Sequence, residues 1–275
     1  MHTSSMLFKG PMSPEALTKN YPAIFATSAK ESVSGRYLYI PTHTIVDNMQ
    51  SQGFKIVGAK QSAGRLGGEH VKHVVYLTHP SLSTGTVNEE LALIALSNSH
   101  NGSSAFTIDT AFFRLVCANG LLMPTTSISS ARIVHRIGMQ DDVLVAASRI
   151  VDNFGTQVAQ IKELKNTVMS SNDSAAFATR AQDLFFSPEQ IALNTKHGND
   201  LRTQLLKTRR FEDANPSLWN VFNRVQENLI KGGARLVTLD KIGNAQLTRT
   251  RPIKSIDRDT KVNKQLMELA LNFVA

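Results

Sequence analysis

A single cysteine, Cys117, stands among 275 residues, so no internal disulfide can form. Long apolar runs are missing as well. The longest unbroken one is Leu91 to Leu96, far short of the about 18 residues a bilayer-crossing helix needs. The first thirty residues contain no continuous apolar core of the secretory kind. There is no GxxxxGK[ST] loop, which removes a nucleotide-driven motor, and no internal repeat or low-complexity segment. These absences argue against transmembrane, disulfide-stapled and exported proteins and leave a cytoplasmic location as the expectation.

What is present is ordinary globular composition, 41% hydrophobic and 19% charged. The length allows one large domain or two small ones, at roughly 150 residues per domain. The net charge of +8 is concentrated in one quarter of the chain. From Lys196 to Lys264 there are 15 Lys or Arg against 7 Asp or Glu, whereas the remainder holds 15 against 15. Clustered cations recover free energy by releasing counterions from phosphates, so a polyanion such as nucleic acid is the expected partner. A solvated basic surface that aids solubility is the alternative.

The periodicity predicts an α+β fold. Residues 1–35, with Gly10-Pro11, Ser13-Pro14 and Tyr21-Pro22, read as an irregular N-terminal arm with one short helix. A short strand at 36–40 precedes a helix over 42–52, with Ile45, Val46 and Met49 on one face and a stop at Gly53. Strands follow at 54–61, 71–78, 91–98, 105–110 and 112–117, with turns at Asn101-Gly102 and Asn119-Gly120. The segment 36–130 is thus a β-meander of about five antiparallel strands with one short helix. After residue 130 the period changes. Ala147, Ile150, Phe154, Val158, Ile161, Leu164 and Val168 predict one helix of about 28 residues, packed on the sheet or projecting from it. Helices at 174–186 and from Pro188, a polar loop at 195–215, a helix from Leu218 to Lys231, a basic hairpin at 234–252 and a helix at 262–275 complete the chain. Residues 131–275 are read as continuing one domain, as a helical basic C-terminal region.

Several residues invite chemical readings. His70, His73 and His79 match no closed metal spacing and read as hairpin-surface histidines. His100 could act as a base beside Ser103 or Asp109, yet a tight turn explains the same polar residues. The glycines of Lys231-Gly232-Gly233 follow a helix instead of opening one, so a helix stop is the better reading than a phosphate cradle. The feature with most weight is the basic constellation Lys207, Arg209, Arg210, Arg224, Lys231, Arg235, Arg249, Arg251, Lys254 and Arg258. Arg249 and Arg251, two apart on a strand, would present guanidiniums about 7 Å apart, a spacing that suits successive phosphates. Aromatic platforms there are few: Phe211, and Trp219 and Phe222 on a helix whose apolar face needs filling.

The order of motifs is familiar. Tyr37-Leu38-Tyr39-Ile40-Pro41-Thr42, Asn98 through Ser104, Phe113 through Leu121, Leu218-Trp219-Asn220 with Arg224 through Gly233, and Thr248 through Arg251 followed by Ile256-Asp257 and Val262-Asn263-Lys264 resemble the phage- and plasmid-borne family called domain of unknown function 932. The resemblance runs from about residue 20 to the C-terminus. That family commonly has Asp at the position of Asn101. More distantly, the order helix, strands, long helix, closest over Tyr39 to Asp47 into Gly53-Phe54, is similar to the core of single-strand-annealing recombinases such as Red-beta, RecT and Erf. That likeness implies a basic groove holding one DNA strand and protomers joined in rings or filaments.

The expectation is therefore a cytoplasmic, non-enzymatic protein that binds single-stranded DNA and assists annealing or recombination, as a homo-oligomer, away from membranes and with no cofactor or bound metal. Arg209, Arg210, Arg224, Lys231, Arg235, Arg249, Arg251, Lys254 and Arg258 would carry the contacts. Two other classes are open: an interaction protein that modulates a host factor, and a metal-dependent nuclease using Asp109, His100, Asp257 or Asp259.

Overall fold

In the computed structural model, residues 14–34, 37–62, 68–82, 90–114, 120–122, 131–133 and 139–274 are described. The chain divides into two compact units, Met1–Gly155 and Thr156–Ala275, whereas the periodicity alone puts a change of character near residue 130 within one continuous domain. The class is α+β, as the periodicity predicts.

Unit 1 is built on an antiparallel sheet. Its strands are β1 (Lys55–Gln61), β2 (His73–Thr78), β3 (Glu90–Asn98), β4 (Phe106–Arg114), β5 (Gly120–Leu122) and β6 (Ala131–Ile133). They pair in the order β1-β2-β3-β4-β5, with β6 also pairing β4. β2 from His73 to Leu77 and β3 from Ala92 to Asn98 are buried at every position, so side chains on both faces of these strands are covered. The helix α2 (Thr42–Ser51) buries Ile45, Val46 and Met49, the face its spacing predicts, and Gly53 ends it at φ +92°. Helix α3 (Met139–Asp152) packs against β4 and β6.

Four expectations are corrected here. Over residues 14–34 the N-terminal segment carries the expected short helix and packs into the core instead of forming an irregular arm. Helix α1 (Pro14–Asn20) and the 3-10 turn Pro22–Phe25 bury Leu17, Tyr21, Ala23 and Ile24, and the Ala23 amide donates to Gln61 Oε1 at 3.0 Å. No strand forms at 37–40; that run is held by the Tyr37 hydroxyl donating to the Ser99 carbonyl at 2.9 Å and the Tyr39 hydroxyl donating to the Ala26 carbonyl. The two strands expected at 105–117 are one, paired without interruption from Glu90↔Arg114 to Ser97↔Thr107, because nothing between Thr110 and Phe112 breaks extended backbone. The expected 28-residue helix is two, α3 and α4 (Phe154–Asn166), with a turn at Asn153. The Asn153 side chain donates to the Arg149 carbonyl at 2.8 Å, and Gly155 follows at once. Asparagine competing for helical carbonyls, then a glycine, is a weak point in any helix. The Asn101-Gly102 turn does contain a positive-φ glycine, Gly102 at +72°, but within a longer connection spanning 99–105. Asn119 of the second expected turn lies outside the described residues.

Unit 2 contains most of α4 and then α5 (Ser171–Phe185), α6 (Pro188–Lys196), α7 (Leu201–Leu206), α8 (Leu218–Lys231), the hairpin β7 (Arg235–Leu239) and β8 (Ala245–Arg249), and α9 (Ile256–Val274). Capping boxes start α5, at Ser170 with Asp173, and α6, at Ser187 with Gln190. The polar stretch 195–215 is not a simple loop. Asp200 caps α7 by accepting from the Arg202 amide at 2.9 Å, and the helix buries Leu201 and Leu205. A 3-10 turn spans Phe211–Asp213. Helix α9 begins six residues earlier than its apolar spacing predicts, led by Ile256. Among the described residues no helix is long and apolar enough to cross a membrane.

Candidate nucleic-acid interface

Helix α8 organises the basic region. Ser217 caps it, accepting from the Asn220 amide at 3.3 Å. Leu218, Val221, Phe222 and Val225 are fully buried. Trp219 and Phe222 stack on each other with ring centroids 5.6 Å apart, so both rings are core, and neither is a platform for bases. The helix stops at Lys231 because Gly232 takes φ 65°, ψ −155°, a conformation essentially reserved for glycine. A Cβ on Gly232 would lie 2.6 Å from the Thr250 carbonyl oxygen. The chain end of the hairpin therefore presses directly on the end of α8. Gly233 N donates to Thr250 O at 2.8 Å, and Thr250 N donates to Ala234 O at 2.9 Å.

That close approach gathers cations from several segments. Arg209 donates from Nε to Asn228 Oδ1 at 2.6 Å and from Nη2 to the Gly232 carbonyl. Asn228, buried, in turn donates to the carbonyls of Leu205 and Lys207, both at 2.8 Å, which ties the loop after α7 onto α8. Arg210 and Lys231 both pair with Glu227, at 3.0 Å and 2.6 Å. Arg249 donates to the Gly233 carbonyl at 2.9 Å and lies directly across the hairpin from Arg235. Arginines facing each other across two strands repel. The negative dipole end at the C-terminus of α8 offsets part of that repulsion.

The nine expected contact residues thus separate into two sets. Arg209, Arg210 and Lys231 are engaged inside the protein and hold the local structure together. Arg224 belongs with them. Burial lowers the pKa of its half-buried guanidinium, opposed by the charge of the buried Asp213, and its Nε has no hydrogen-bond partner within the protein. Arg235, Arg249, Arg251, Lys254 and Arg258 are exposed, and among the described residues no carboxylate forms an ion pair with any of them. Arg251 does not share a strand with Arg249: β8 ends at Arg249, because Pro252 has no amide to continue the ladder. Phe211, next to Arg209 and Arg210 in sequence, is 91% exposed.

Glu227 is the residue the sequence reading missed. Burial opposes its ionisation most strongly, but hydrogen bonds from Lys231 and Arg210 outweigh that and hold its carboxyl below the usual range. The i,i+4 spacing from Glu227 to Lys231 was the available signal.

The other polar concentration lies in unit 1, where Thr42, His73, Asn98 and His100 are each wholly inaccessible. His73 is therefore not the surface histidine its hairpin position predicts. Its Nδ1 faces the Val71 carbonyl at 3.0 Å, and a carbonyl can only accept, so Nδ1 carries the proton. Nε2 then accepts from the Thr42 hydroxyl at 2.8 Å, while Thr42 accepts from Asn98 Nδ2 at 2.9 Å. Burial lowers His73 to about 4, with the Val71 bond acting the other way. His100 Nε2 reaches the same hydroxyl at 3.4 Å. Asp109 is also buried, opposite Ala95 in the sheet. Asp259 accepts from Asn263 at 3.0 Å. Among the described residues no three His, Cys, Asp or Glu are placed to hold a metal ion.

The family model described as Domain of unknown function (DUF932) matches residues 29–267. Two Escherichia coli (strain K12) proteins, UPF0380 protein YafZ and UPF0380 protein YfjQ, are each 30% identical over 262 residues, covering 94% of this chain and 90% of the relative. No solved structure gives a significant match.

Proposed function

The chain belongs to the domain of unknown function 932 family, and on that premise we propose that unit 2 binds single-stranded DNA along a basic track, assisting annealing or recombination in the cytoplasm of a cell hosting a phage or plasmid, without cleaving the strand. One observation carries the reading. Cations from four separate segments meet around Gly232-Gly233: Arg209 from the loop after α7, Lys231 from α8, Arg235 from β7 and Arg249 from β8. Among the described residues, Glu227 is the carboxylate paired into the group, through Lys231.

The division of labour follows from the bonding. Arg209, Arg210 and Lys231 build the platform, and Arg235, Arg249, Arg251, Lys254 and Arg258 contact phosphates. Phe211 offers a ring on which a base can stack, a contact worth about 1–3 kcal/mol per base. Unit 1, whose order of α2, β1 to β4 and α3 underlies the resemblance to annealing recombinases, supplies subunit contacts in a ring or filament.

Fluorescence anisotropy with single-stranded oligonucleotides over a salt series tests this. The logarithm of affinity should fall linearly with the logarithm of salt, with a slope of about 0.7 per phosphate neutralised. Arg249→Ala with Arg251→Ala should flatten that slope by about 1.4 on the same rule. Phe211→Ala should weaken single-strand binding and leave the salt slope alone. A salt-insensitive affinity, an unchanged slope in the double variant, or strand cleavage in Mg²⁺ that chelation abolishes would each overturn the proposal.

A further inference from the structure

Beside the basic track, unit 2 contains a cavity of about 260 Å³. The apolar part of its lining includes Phe185 and Phe186 at the end of α5, Leu229 of α8, Leu236 of β7, Ile253, and Val262 of α9. Arg251 and Arg258 also line it, and no acidic residue does. We propose that this cavity is a nucleotide subsite, receiving one base against the apolar walls and its phosphate on Arg251 and Arg258. The inference rests on the nucleic-acid reading above and names the part of the ligand that the track alone does not explain.

Size and polarity select the ligand. The volume is just below the about 300 Å³ where ordinary ligand pockets begin, and well above the about 150 Å³ that accommodates a benzene ring. One flat ring system fits, and a dinucleotide does not. The side-chain oxygens of the lining each already accept a hydrogen bond from the protein. Asn228 spends both amide hydrogens on Leu205 and Lys207 and its oxygen on Arg209. Thr250 Oγ1 accepts from the Ala234 amide at 3.1 Å. Gln190 Oε1 accepts from the Ser187 amide at 3.0 Å, which leaves its NH₂ as the free group. With two guanidiniums added, the cavity offers donors, and its complement is a ring bearing acceptor atoms and a negative charge. A nucleobase with its phosphate has that pattern, whether it belongs to a strand or to a free mononucleotide.

Two measurements on the full chain separate these sources. The first titrates dAMP while the Gln190 side-chain amide signal is followed by NMR. The second compares a single strand with an abasic strand of equal length and charge, for the wild type and for Leu236→Phe, which fills the cavity without touching a cation. A dAMP-dependent shift of the Gln190 amide, lost in Arg251→Ala with Arg258→Ala, supports the subsite. A preference of tenfold or more for the base-bearing strand that Leu236→Phe cuts at least fivefold shows that the base comes from the strand. The amide shift without that preference assigns the cavity to a free mononucleotide. If the amide does not move and Leu236→Phe leaves the preference intact, the subsite is overturned; salt-dependent binding of the abasic strand would still uphold the track. If neither strand binds and the Gln190 amide does not move, both fall. The NMR titration does not use Leu236→Phe, so it tests the subsite even where that variant fails to fold.

Discussion

Each unit holds a polar cluster at the meeting point of its elements, and the two are solved in opposite ways. In unit 1, Asn98, Thr42 and His73 form a neutral chain of hydrogen bonds that ends on a carbonyl, and every member is sealed from water. In unit 2, Glu227, Arg210 and Lys231 are charged. Glu227 is buried, while the two cations keep 24% and 37% of their side-chain surface in solvent. Neutral groups need only a hydrogen-bond partner to be buried at small penalty, whereas a charge needs both a partner and access to water. The sealed cluster can therefore only organise the core. The open one keeps charge at the surface beside the exposed Arg235 and Arg249, and for that reason the proposed function rests on unit 2.

The comparison breaks first at its glycines. Gly102 of unit 1 and Gly232 of unit 2 both have positive φ, +72° and +65°. A Cβ on Gly102 would meet only the flexible end of Val33 at 3.4 Å, but on Gly232 it would strike the Thr250 carbonyl at 2.6 Å. Gly102→Ala should cost about 1 kcal/mol of strain. Gly232→Ala adds overpacking against backbone and should cost roughly 4 kcal/mol. Hydrogen exchange localises the damage. Protection should collapse over residues 218–251 and persist over 42–51 and 90–112. Equal losses for the two variants would mean that the end of α8 is not the rigid seat of the cation cluster.

Acid separates the units next. His73 is held near 4 by burial, against about 6.5 in the unfolded chain. Between those values the unfolded state binds the extra proton, so stability is complete above about pH 6.5 and falls as pH drops towards 4. The loss should reach roughly 3 kcal/mol, at 1.36 kcal/mol per unit. Urea unfolding at neutral and acidic pH, followed by exchange in unit 1, measures it. A His73 resonance that titrates near 6.5 would show the cluster to be open.

These contrasts were unevenly legible in the sequence. The α2 face, the pairing order of β1 to β4, the α8 face and its glycine stop follow from periodicity and turn chemistry, which are local. Where long-range packing decides, the reading missed: Leu17, Tyr21 and Ile24 lie in a segment punctuated by prolines yet fill the core, and Asn153 breaks a helix whose apolar spacing continues through it. The basic constellation was visible as composition. That Arg210 and Lys231 share Glu227, and that Arg209 is spent on Asn228 and Gly232, depends on which segments meet at Gly232, and no spacing encodes that. The cavity was likewise invisible, since its walls come from six elements, and from connections between them, far apart in the chain.

Glu227→Gln gives the smallest effect and the sharpest use of the comparison. In a cluster that only organises structure, as in unit 1, losing a bond weakens the fold and does nothing else. Here the lost ion pairs should destabilise unit 2 by about 1–2 kcal/mol, a value discounted because both cations are partly solvated. The stabilising contribution of Glu227 is complete above the unfolded carboxylate pKa and fades as pH falls through the lower folded value, so the deficit should shrink in acid. Removing the anion also raises the field of the remaining cations. Single-strand affinity should therefore rise roughly two- to fivefold at moderate salt, an advantage that screening removes at high salt. A variant that is less stable yet binds DNA more tightly fits a platform built for a polyanion. One that is less stable with unchanged affinity would place the cluster of unit 2 in the same purely structural role as that of unit 1.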